Sequence, residues 1–127
     1  MELTGKTTIR ELAADLAAGR ITSVALTQQM LARAEAHRAQ GGHAYVSLDG
    51  AQALAEARAS DAARAAGIVA SPLAGVPISI KDLFDVKGQV SSAASLALAD
   101  APPADADALA VARLRAAGAV LLGRTNM

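Results

Sequence analysis

From residue 78 to residue 123 the chain reads strand, long connection with a helix, strand, and that order restricts its architecture more than any other feature. "AVLLGR", 119–124, is a continuous apolar run behind Gly118, with a strand expected over 119–123. "ISIK", 78–81, reads as an earlier strand entered from the loop "SPLAGVP", 71–77. Two strands joined by a crossover that contains a helix form a βαβ unit with parallel strands. An unbroken apolar strand normally lies in a parallel sheet covered on both faces. Few other elements are available to cover it, and the sequence stops at "RTNM" directly after it. We therefore expect the front part of a larger α/β domain, spanning 1–127 with no internal boundary or repeat.

The remaining elements follow from periodicity and punctuation. Helices are expected at about 7–18, 23–40, 51–67 and 107–117, and a further strand at 43–48. Ile9, Leu12, Ala13 and Leu16 share one helical face, with Thr7 or Thr8 as cap and Gly19 as stop. Ser23 is the expected cap of the second helix, Gly41-Gly42 its end, and Asp105 or Asp107 the cap of the fourth. The apolar fraction is 53%, but much of it is alanine, which favours helix and buries little area.

Charge and residue usage exclude several functions. Twelve basic residues balance twelve acidic ones, so there is no electrostatic case for nucleic acid or an anionic membrane as partner. Tyr45 and Phe84 are the only aromatics, too few for base stacking. No apolar run approaches the roughly 20 residues of a membrane span. "MELTGKTTIREL" lacks a signal-peptide pattern, and without cysteine there is no disulfide or thiolate metal site. A cytoplasmic location is the expectation.

The residue that invites chemistry is Lys81, at the end of "GVPISIKDLFD", 75–85. Alternation along a strand sends Ile78 and Ile80 to the core and Ser79 and Lys81 to the other face. Strand C-termini commonly carry functional groups in α/β folds. Desolvation there disfavours an ammonium, and a neutral amine can serve as general base. Asp82 opposes this if its carboxylate lies close, and it is expected to point to the opposite face. The plain alternative is a lysine snorkelling from a strand end and paired with Asp82 or Asp85.

"PLAGVPISIKDLFDVKG", 72–88, closely resembles the segment around the catalytic lysine of the amidase signature family. "DALAVARLRAAGAVLLGRTNM", 107–127, resembles the helix–strand segment that follows it there, and "ITSVALTQQMLAR" the family's N-terminal helix. The resemblance covers nearly the whole chain. It implies an amidase-signature fold, a mixed sheet flanked by helices, incomplete in these residues. It implies a triad of a nucleophilic serine, a second serine held by a cis peptide bond, and a lysine, here Lys81. It implies a small-molecule amide as substrate, hydrolysis of its C–N bond, and no metal or organic cofactor. It makes the remainder of the same chain the necessary partner and leaves a homodimer open.

Both triad serines belong to a glycine- and serine-rich stretch that the family carries well after the "TN" segment, and nothing here matches it. The expectation is one triad member of three and no activity from these residues alone. Ser91, Ser92 and Ser95 lie too close to the lysine to be triad members; they match a Thr/Gly/Ser segment of the family, with Ala94 where glycine is usual. Two other readings stay open. One is the glutaminase subunit of a tRNA-dependent amidotransferase, working with partner subunits. The other is a non-catalytic binding or assembly module ending at Met127. His37 and His43 straddle the Gly41-Gly42 break and share no ligand spacing with a carboxylate, which argues against a metal site. Asn126 is expected to make backbone bonds after its strand.

Overall fold

A computed structural model gives the fold of residues 4–127; Met1–Leu3, the start of the stretch read for a signal peptide, lie outside the described residues. The elements run α1 (Ile9–Ala17), α2 (Ser23–Ala39), β1 (Tyr45–Leu48), α3 (Gly50–Ala65), β2 (Pro77–Lys81), α4 (Leu109–Ala116) and β3 (Val120–Thr125). A single 3-10 turn at Leu96–Leu98 interrupts the long connection from β2 to α4. Each predicted element is present, with ends displaced by a few residues at most.

The sheet has the order β1-β3-β2, with β3 parallel to β2 and antiparallel to β1. The βαβ unit is thus the one expected, and the sheet is mixed. Successive side chains of β3 point to opposite faces. Val120 packs against Ala53 and Ala57 of α3 and Val24 of α2. Leu121 packs with Ile78, Ile80, Val86 and the α4 residues Val111 and Leu114. Ile78 and Ile80 therefore face a core, as alternation required. A third cluster, Leu16, Ile21, Leu26 and Val76, seals α1 and α2 onto the entry to β2.

Two capping expectations are corrected. Thr22, not Ser23, caps α2: its hydroxyl accepts from the Ala25 amide at 3.1 Å. Ser23 is the first helical residue, and its hydroxyl donates to the Gly75 carbonyl at 2.7 Å. The first-turn Ser23 and Val24 amides donate to the Asp61 carboxylate of α3, at 2.8 and 3.0 Å. Neither Asp105 nor Asp107 caps α4, which begins after Ala108 with no side-chain cap. Asp107 is committed to the Lys87 amide at 2.8 Å and to Arg115 at 3.0 Å. At α1, Thr8 is the cap, in a reciprocal box with Glu11.

β3 carries an irregularity that decides where its last residues point. Ile78 pairs with Leu121, but Ser79 pairs with Gly123, so Leu122 is an extra residue on β3. Beyond it, Arg124 pairs with Ile80 and Thr125 with Lys81. The shift puts Arg124 on the face of Ile80 and α4 rather than on that of Val120. Position 123 must be small, because a side chain there would run into the Ser47 carbonyl of β1.

Candidate active site

The C-terminal ends of the parallel strands carry Lys81. Tyr45, Thr125 and Lys81 lie in one row across the three strands. One pair further into the sheet on that face, the Tyr45 hydroxyl meets the Ser79 hydroxyl at 2.9 Å. Lys81 is exposed. Its main chain is fixed: it pairs with Thr125 in the ladder, and its carbonyl accepts from the Phe84 amide at 3.1 Å. Its ammonium makes no ion pair with a described residue.

The two acids that a snorkelling lysine would use are engaged elsewhere. Asp85 accepts from the Ser91 hydroxyl at 2.8 Å. Asp82 is 2% exposed and turned away from the solvent that Lys81 faces. Its carboxylate lies 3.1 Å from the Arg124 guanidinium and accepts from the Ser92 hydroxyl at 2.5 Å and the Ser92 amide at 3.2 Å. The expectation that Asp82 points to the opposite face is met. The expected desolvation of Lys81 is not provided by these residues, which leave it exposed.

Arg124 is the residue that sequence reasoning missed. It is 3% exposed and reaches the Phe84 carbonyl at 2.6 Å, the Ser91 hydroxyl at 3.2 Å and the Gln89 amide oxygen at 3.0 Å. A signal was there: a cation inside an apolar strand has to find a buried partner, because an isolated buried charge is very costly. Ser91 and Ser92 are structural, tying the connection to this network, and Ala93 and Ala94 follow in left-handed backbone, at φ +48° and +58°. Glycine takes that conformation without strain and alanine does not, which is the physical content of the glycine expected at 94.

The other candidates resolve simply. His37 accepts from the Ala44 amide through Nε2 at 3.4 Å. Among the described residues no three His, Cys, Asp or Glu side chains come together to hold a metal. No helix among them is long and apolar enough to cross a membrane. Asn126 donates to the His43 carbonyl at 3.2 Å and accepts from the Met127 amide at 2.9 Å, a backbone role as expected.

Comparison with known proteins agrees with this geometry. The family model described as Amidase matches residues 25–127. The chain is 44% identical over 126 residues to a glutamyl-tRNA(Gln) amidotransferase subunit of Roseiflexus sp. (strain RS-1), covering 99% of this chain and 25% of that protein. It superposes on the native peptide amidase of Stenotrophomonas maltophilia with a TM-score of 0.87 at 39% identity, covering 97% of this chain and 25% of that one. An amidase family protein from Bacillus anthracis str. Ames gives 0.84 at 29% identity, covering 97% and 24%. The chain thus spans about a quarter of the length of the relatives it matches. With its strand order, its lysine-bearing strand end and these matches in agreement, the chain belongs to the Amidase family.

Proposed function

We propose that these residues form the N-terminal part of an amide hydrolase and that Lys81 is its proton carrier. One observation supports the role above the others. Lys81, at the end of β2, makes no ion pair with a described residue, while Asp82 and Asp85 are both bonded elsewhere. An amine that is not committed to an ion pair keeps its nitrogen available to a hydroxyl brought beside it.

In this reading the cover that desolvates Lys81, and both serines, come from chain beyond these residues. Uncharged Lys81 takes a proton through one serine as the other attacks the amide carbonyl. A C–O bond forms, the C–N bond breaks, and the proton passes to the departing nitrogen. Water then hydrolyses the acyl-enzyme.

In the full-length protein, Lys81→Ala should lower kcat for amide hydrolysis by about 10²–10⁴-fold, the range that general acid–base catalysis contributes. An unchanged circular-dichroism spectrum would show the fold intact. Near-normal turnover in that variant refutes the assignment.

The substrate class has a second reading, favoured by the 44% identity to the glutamyl-tRNA(Gln) amidotransferase relative. Here the complete protein releases ammonia from glutamine and works with partner subunits. The two readings separate in one assay. Glutamine hydrolysis that requires added partner subunits supports the amidotransferase reading; hydrolysis of peptide amides by the full-length protein without partners supports the free-standing amidase.

A further inference from the structure

We infer that Asp82 and Arg124 are a positioning pair that sets both Lys81 and the 91–95 loop in place, an inference that rests on Lys81 being the proton carrier. Three observations converge. The first is where the pair's bonds end. Asp82 is the covalent neighbour of Lys81, and its amide donates to the Thr125 carbonyl at 2.9 Å, extending the ladder one step past the lysine. Arg124 immediately precedes Thr125, the residue paired with Lys81. Through Phe84 it also holds the turn whose amide caps the Lys81 carbonyl.

The second is strain. Ala93 and Ala94 are the only non-glycine residues with positive φ among the described residues. Such a conformation persists only where its surroundings over-determine it. Asp82 supplies that hold: its carboxylate takes the Ser92 amide and hydroxyl, and its carbonyl accepts from the Ala93 amide at 2.9 Å. Arg124 adds Ser91 and Gln89 from the same connection.

The third is burial. Replacing a buried ion pair with apolar residues is often neutral or stabilising, so stability alone explains this one poorly, whereas directional bonds fix geometry. Arg124 Nε is buried without a hydrogen-bond partner, so the guanidinium is placed for its Nη contacts at the expense of its own satisfaction. None of these bonds uses the Lys81 amine. The pair fixes the root of the lysine and leaves its tip free for chemistry.

The test is steady-state amide hydrolysis by the full-length protein carrying Asp82→Asn, Arg124→Gln, or both. Misplacement of a catalytic group by about 1 Å costs about 10²-fold, so each single variant should lose kcat on that scale with KM little changed. The double variant leaves no lone buried charge; it should regain thermal stability without regaining kcat. A double variant that recovers kcat along with stability, or an Asp82→Asn variant with normal kcat, overturns the positioning role. Should a single variant fail to fold, the double variant decides alone. Normal turnover in Lys81→Ala is a separate result: it removes the assignment of the base itself. Loss of activity there together with normal activity in the pair variants rejects only the pair.

Discussion

The two halves of β3 are built on different physics. Val120 packs on alanines of α3 on one face, Leu121 on Ile80, Val86 and Val111 on the other, and Leu122 is buried as well. Gly123, Arg124 and Thr125 follow the extra residue at Leu122 and hold a position that admits no side chain and a buried cation. Apolar burial is non-directional and tolerates repacking. Ionic and hydrogen-bonded contacts are directional and fail when one partner goes. The contrast teaches where orientation matters in this molecule. The half that only has to be covered is held by area, and the half beside Lys81 is held by angles.

Breaking the directional half should cost most. Arg124→Met strands Asp82 as an uncompensated buried charge, and we expect a loss of about 3–5 kcal/mol in denaturant unfolding of the full-length protein. Breaking the apolar half should cost less: Leu121→Ala is expected to lose about 2–4 kcal/mol, mainly as transfer and cavity energy. A reversed order would remove the distinction between the halves. The same comparison is sharpened by relieving strain. Ala94→Gly accepts φ +58° freely. Offset by the added entropy of glycine in the unfolded chain, it should stabilise by about 0.5 kcal/mol. A clear destabilisation would mean that the alanine methyl makes a packing contribution larger than its backbone cost.

The smallest effect lies far from the site, at the start of α1. Glu11 is held below its ordinary carboxylate range by accepting from the Thr8 amide at 2.7 Å and the Thr8 hydroxyl at 2.8 Å. A lowered value in the fold means that this contribution is present above the unfolded-state range and is lost as pH falls through the lowered value. The gap in stability between the natural chain and Glu11→Gln should therefore be largest near neutrality and shrink in acid. A gap that widens in acid contradicts the capping account.

Much of this was legible in the residues. The strand at 78–81, the strand at 119–123 and the helix between them fixed a parallel pair, because apolar runs, glycines and prolines act locally. Alternation correctly sent Ile78 and Ile80 inward and Ser79 and Lys81 outward. The caps at Thr22 and Ala108 were misread for one reason: Ser23 and Asp107 had stronger long-range partners, Gly75 in one case and Lys87 and Arg115 in the other. Arg124 was missed because its direction depends on the extra residue at Leu122, which sequence periodicity does not announce. Lys81 is singled out by its strand-end position and by resemblance. That no described acid pairs with it is visible only in the fold, where Asp82 and Asp85 are occupied elsewhere.

The most direct check is a crystal structure of the full-length protein, read at one atom. We expect Lys81 Nζ to lie within hydrogen-bond distance, about 3 Å, of a serine hydroxyl contributed from beyond residue 127 and shielded from solvent. Finding that nitrogen in open water, with no pair of hydroxyls beside it, would contradict the role given to Lys81.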